Sequence, residues 1–115
     1  VTNPTAGLTD IVHQRHRLAI LTVAAEADQV EFGYLKDTLD LTAGNLNRHL
    51  AVLHDAGLIA IKKGYNGSRP KTWIKISRAG RRELAAEVHA LQELVNRHQL
   101  SSSAETVSRL APKNA

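Results

Sequence analysis

Cysteine is absent from the 115 residues. That excludes disulfide frameworks, thiolate metal sites and cysteine nucleophiles together. It fits a reducing cytoplasm. Methionine is absent too, so Val1 is not expected to be the translation start. Aromatic side chains are few: Phe32, Tyr34, Tyr65 and Trp73. Single-stranded nucleic acids are usually held on aromatic stacking platforms, so this set argues against RNA or single-strand binding. Phe32 and Trp73 are expected to pack, which leaves Tyr65 for a partner. The longest nearly apolar run, residues 18–25, is far too short to cross a bilayer. The first segment has neither the basic nor the apolar region of a signal peptide. A soluble, cytoplasmic protein is expected. No glycine-rich phosphate loop and no nucleophile–base pair stands out. The chain does not read as an enzyme, and no cofactor is expected.

One further absence is local. Residues 56–82 contain eight Lys or Arg and no Asp or Glu. The eight are Lys62, Lys63, Arg69, Lys71, Lys75, Arg78, Arg81 and Arg82. Residues 1–55 are acidic on balance, with four basic and seven acidic side chains. The formal net charge of +4 therefore understates how basic one quarter of the chain is. A block of one sign points to an anionic partner more strongly than net charge does.

What is present reads as one domain. Residues 1–8 read as a flexible N-terminal arm. Thr9 or Asp10 can cap a helix running to about Ala27, apolar nearly all round between Leu18 and Ala25. Val30-Glu31-Phe32 is a short strand, and Tyr34–Leu39 a short helix. Thr42 is a good N-cap, because its hydroxyl can accept from the amide of Gly44 or Asn45. The next helix puts Leu46, Leu50 and Leu53 on one stripe. Gly57 is its expected stop. Residues 58–63 and 72–77 read as strands joined by the loop 64–70. Ser77 opens a helix to about Gln99, with Leu84, Val88, Leu91 and Val95 at heptad-like spacing. Residues 101–115 lose the pattern and read as a flexible tail.

Two helices joined by a tight turn, followed by a β-hairpin, describe a winged helix-turn-helix. The expected fold class is mainly α with a small hairpin (α+β), residues 9–100 forming the DNA-binding and dimerisation domain. In such a unit the second helix lies in the major groove, its N-terminal residues toward base edges. With the leucines inward, Ala43, Gly44, Asn45, Asn47, Arg48 and Ala51 face the partner. Asn can bond bidentately to adenine and Arg to guanine. Ala43 and Gly44 are small enough for close approach, and the helix amides can then meet a phosphate.

The run Leu41-Thr-Ala-Gly-Asn-Leu-Asn-Arg-His-Leu, with Ala56-Gly57-Leu58-Ile59, Lys63-Gly64, Arg69-Pro70-Lys71-Thr72-Trp73 and Ser77-Arg78-Ala79-Gly80-Arg81, resembles the compact winged-helix transcriptional regulators related to the MarR and ArsR groups. Arg17–Leu21 resembles the start of their first core helix. The resemblance covers roughly residues 10–95. It implies a homodimer on double-stranded DNA, with repression as the expected output. It places Thr42 at the opening of the reading helix, with Ala43, Gly44, Asn45, Asn47 and Arg48 on its face. Lys63, Tyr65, Arg69 and Lys71 fall on the wing. The dimer seam is expected at Leu84, Val88, Leu91 and Val95. Two alternatives stay open, a winged-helix module that binds protein and an ArsR-like metal sensor. His13 and His16, or His89 and Glu93, share helix faces. No metal ligand is assigned, because such sites usually want more ligands and often thiolates.

Overall fold

Asp10 and Ile11 do not enter the first helix, because their carbonyls are taken. The Arg17 side chain donates to Asp10 O at 2.9 Å and to Ile11 O at 2.6 Å. Helix α1 therefore spans Arg15–Glu26, and the expected start at Thr9 or Asp10 is corrected. Gln14 is the cap, its side chain accepting from the Arg17 amide at 2.8 Å. The computed structural model describes the backbone of residues 3–110 and the side chains of residues 3–100.

After α1 come β1 (Val30–Glu31), α2 (Phe32–Thr38), α3 (Ala43–Asp55), β2 (Ile59–Asn66), β3 (Arg69–Ile76) and α4 (Arg78–Leu110). The three strands form one antiparallel sheet in the order β1-β3-β2. Helices α2 and α3 each end in the same way. Leu41 N bonds to Lys36 O at 3.0 Å around Asp40, and Leu58 N bonds to Leu53 O at 2.9 Å around Gly57. Both central residues are left-handed, at φ 52° and 76°. This is the six-to-one closure that ends many helices. Gly57 takes the conformation without a Cβ penalty, and Asp is among the few other residues that tolerate it. The first closure makes the tight turn between α2 and α3.

Ile20, Leu21 and Ala24 of α1 meet Leu35 of α2, the three leucines of α3, and Ile59, Ile74 and Ile76 of the sheet. Val12 joins them from the N-terminal segment. Two local contacts lie in the stretch expected as an arm. Asn3 Oδ1 accepts from Thr5 N at 2.9 Å and Thr5 Oγ1 at 2.8 Å, which sets a turn. Gly7 then lies against Ala90 of α4. Helix α4 also runs beyond its expected end near Gln99. Ser101, Ser102 and Ser103 are only moderate helix formers, but no glycine or proline intervenes before Pro112. At 33 residues, α4 is about 50 Å long.

The start of α4 is fixed to the end of α3. The Ser77 hydroxyl donates to Gly57 O at 2.7 Å and accepts from Gly80 N at 2.9 Å. Ser77 is thus the expected cap and a tie between two elements. Gly80 is buried where the first turn of α4 crosses the Leu58 carbonyl, and a Cβ there would collide with that oxygen.

Candidate nucleic-acid interface

Helix α3 presents its N-terminal half outward. Thr42 Oγ1 accepts from Asn45 N at 3.1 Å, so the helix begins where the sequence places it. Ala43, Gly44, Asn45, Asn47 and Arg48 are all exposed. At 100° per residue, Arg48 and Gly44 lie opposite the buried leucine stripe. Asn47 lies on the flank toward the wing. It lines a groove with Phe32, Leu50, Ile61, Lys63 and Thr72. Asn45 lies on the other flank, toward α1. A Cβ at Gly44 would meet nothing within 4 Å. No packing inside the chain therefore requires a glycine there, although glycine costs about 1 kcal/mol against alanine within a helix.

The α1 flank of α3 is held by an arginine–histidine cluster that no local pattern in the sequence marks. Arg17, having bound two carbonyls, also donates from Nη1 to His49 Nδ1 at 3.2 Å. His16 stands beside His49, ring centroids 5.3 Å apart. Because arginine can only donate, His49 must accept at Nδ1 and carry its proton on Nε2. Burial first, then the charge of Arg17, and behind these His16 and Arg48, push His49 below the ordinary histidine value. The unfolded chain therefore binds the proton at higher pH than the folded one. The stability His49 contributes is fully present above about pH 6.5 and is lost as acid carries the pH lower. Urea unfolding at about pH 7.5 and about pH 5 should show a larger acid loss in the wild type than in His49→Asn, which keeps an acceptor near Nδ1. Equal losses would remove His49 as the origin.

The wing is longer and tighter than expected. The strands continue past Lys63 to Asn66 and resume at Arg69, so the loop 64–70 is reduced to a two-residue turn, Gly67-Ser68. Gly67 has φ 66° and Ser68 is not left-handed, the pattern of a type II′ hairpin turn. Pro70 does not break β3. It pairs across from Tyr65 one rung below the Asn66–Arg69 pair that closes the turn, so its missing N–H faces outward, where no strand lies. Alternation separates the four expected wing residues into two pairs. Lys63 and Tyr65 share the face that carries Ile59 and Ile61. Arg69 and Lys71 share the opposite face. Tyr65 is 73% exposed. Lys63 Nζ donates to Thr72 Oγ1 at 3.1 Å. Lys71 is instead paired with Glu31 of β1 at 3.1 Å and half-buried, so it is not equivalent to the exposed Arg69.

Helix α4 carries the four residues expected at a dimer seam. Leu84 and Leu91 are half-buried, and Leu84 packs against the core of its own chain. Val88 and Val95 face outward, 55% and 47% exposed. Ala25, Leu84, Ala85 and Val88 line an open apolar groove between the end of α1 and α4. The same helix buries one charged residue, Glu87, at 2% exposure, its Oε2 accepting from His13 Nδ1 at 2.7 Å. The one sequence signal for it is its spacing from Leu84 and Leu91, which puts an acid on the apolar stripe. The histidine pairs considered as ligands part company here. His13 turns to Glu87, His16 to His49, and His89 makes an exposed pair with Glu93 at 3.2 Å. Among the described residues, no group of three or more His, Cys, Asp or Glu side chains is placed to hold a metal ion. Among those residues, no helix is long and apolar enough to cross a membrane.

The model of the winged helix DNA-binding domain matches residues 16–95, from α1 through the wing into α4. The chain belongs to this family. The chain is similar to an uncharacterized protein of Methanocaldococcus jannaschii, 43% identical over 65 residues that span 56% of this chain and 71% of that protein. The fold of this winged helix is similar to that of a transcriptional regulator homologue from Pyrococcus horikoshii. Their TM-score is 0.72 at 28% identity, covering 77% of this chain and 88% of that one. A MarR-family transcriptional regulator from Rhodococcus shares the fold with a TM-score of 0.62 at 15% identity, over 90% of this chain and 80% of that one. The expected winged helix-turn-helix, its α+β class and its long last helix are thus all found. In this fold α3 is the second helix of the helix-turn-helix and the β2–β3 hairpin is the wing.

Proposed function

We propose that this winged helix is a sequence-specific, double-stranded-DNA-binding transcriptional regulator that acts as a homodimer and represses by occupying promoter DNA. The observation that carries the reading is the outward half of α3. It offers Arg48 and Gly44 opposite the core and an asparagine on each flank. An α-helix fits the major groove of duplex DNA, and Arg and Asn are the side chains that read guanine and adenine there. A glycine that no internal contact explains suits close approach to a partner. Thr42 would set the helix start against the backbone, while Lys63, Tyr65 and Arg69 engage it from the wing. Lys71 would contribute less, since Glu31 already offsets it. The transcriptional role of the Pyrococcus homologue supports a regulatory output. Repression by occupancy needs nothing beyond the binding itself.

The homodimer rests on the exposed Val88 and Val95 and on the groove beside them. A two-fold pair would present two α3 helices to half-sites about one helical turn, roughly 34 Å, apart. Selection of bound duplexes from a random pool tests the function. A two-fold symmetric motif is expected, and enrichment of no motif would overturn sequence-specific reading. On the selected duplex, Arg48→Ala should cost about 1–3 kcal/mol and relax the preference at one base pair. An equal loss on random duplex would reduce Arg48 to a phosphate contact.

A further inference from the structure

The β2–β3 ribbon has a second face, of which the proposed mode of binding uses only Arg69 beside the tip and, weakly, Lys71. Its inner face supplies Ile59, Ile74 and Ile76 to the core beneath α3. Its outer face carries the alternate residues, with Lys75 opposite Ala60, Lys62 opposite Trp73, Lys71 opposite Gly64 and Arg69 opposite Asn66. Neither strand contains an acid. Glu31 of the neighbouring β1 lies opposite Trp73 and pairs with Lys71. Lys62, Lys75 and Arg69 are exposed and, among the described residues, have no acidic partner. Trp73 is half-buried in their midst.

Distance separates these lysines from the groove that the wing tip would enter. Lys62 lies five residues before Gly67, and Lys75 seven after Ser68. At about 3.3 Å per residue they stand about 16 Å and about 23 Å from the turn. The grooves of DNA are only about 7.5–8.5 Å deep. Arg69 can follow the tip into a groove, but Lys62 and Lys75 cannot. They also look away from α3, which sits on the other face of the sheet, and so away from the duplex α3 would read.

We infer that the outer face of the sheet, centred on Lys62 and Lys75, is a contact for a second DNA duplex, so that the bound protein bridges two DNA segments. The inference rests on the DNA-binding function proposed above. A duplex fits this face because it offers a continuous line of phosphates, about one charge per 1.7 Å of axis. Such a line can meet cations spread along a strand without any particular sequence. Contacts of this kind are made by charge and weaken steeply with salt.

The test uses two duplexes. One carries the selected site and is held on beads; the other is labelled, unrelated in sequence and in solution. The wild type is expected to retain the labelled duplex on the beads at low salt. Lys62→Ala combined with Lys75→Ala should cut that retention by about tenfold or more, because each lost phosphate contact also removes counterion release. Its affinity for the site duplex alone should stay within about twofold, with an unchanged thermal melt. A wild type that binds the site duplex but retains no second one overturns the inference. So does a variant that bridges as well as the wild type. A parallel loss of site binding, with the salt slope reduced by about two, would put both lysines in the primary contact and also overturn it. A wild type that binds no duplex at all fails at the first arm, which is the failure of the proposed function itself.

Discussion

Val88→Asp should abolish the proposed homodimer. Val88 is 55% exposed and borders the apolar groove between α1 and α4. In a two-fold seam along α4, both copies would place the new carboxylate in apolar surroundings. An unpaired charge in such a place costs several kcal/mol, and about 3 kcal/mol is already two orders of magnitude in dissociation constant. Because the side chain is outward-facing, each protomer should keep its own fold. That separates this substitution from Leu91→Asp, which would strike a residue half-buried within its own chain. Sedimentation should report a dimer for the wild type and a monomer for the variant at the same concentration, and binding to a two-half-site duplex should fall with it. A Val88→Asp protein that still sediments as a dimer would move the seam elsewhere.

Gly80→Ala should be strongly destabilising. The added Cβ would overlap the carbonyl oxygen of Leu58 and approach Ile76 Cγ1 at 2.7 Å. Neither neighbour is the far end of a flexible side chain. Leu58 belongs to the closure that ends α3, and Ser77 ties Gly57 to the same turn of α4. Relief would require α4 to move off the sheet and disturb Ser77 as well. Overpacking of this kind costs about 3 kcal/mol, a large share of the stability of a small domain. Denaturant unfolding should show a lower midpoint with little change in slope. A loss below about 1 kcal/mol would mean that α4 docks less rigidly than its contacts indicate.

Local chemistry made much of this molecule legible from its sequence. The leucine stripe of α3, the Thr42 and Ser77 caps and the stop at Gly57 each depend on residues within four positions, and each stands as expected. The start of α1 at Arg15 is not legible locally, because the boundary depends on the Arg17 side chain reaching backward to Asp10 and Ile11. The wing strands read shorter in the sequence than they are, because Gly64 and Pro70 are breakers by type. Only the pairing register shows that Pro70 points its missing donor to an open edge. Contacts distant in sequence left no local mark. Nothing near Arg17 announces His49, 32 positions away, and nothing near Lys71 announces Glu31, 40 positions away. The exposed set on α3 was legible because a helix with one buried stripe leaves only one surface to choose.

The two-residue turn at Gly67-Ser68 has a consequence for how the wing could be altered. A hairpin closed this tightly has no slack, so its length changes only by rungs. Adding one residue to each strand beside the turn moves the tip outward by about 3.3 Å and keeps every existing pair opposite its partner. Adding a residue to one strand alone reverses the parity of everything beyond it. Placed between Ile61 and Lys63, it would turn Lys63 and Tyr65 to the outer side while Ile59 kept its place in the core. Wing reach and wing polarity are thus separate dials, one set by paired insertions and the other by single ones.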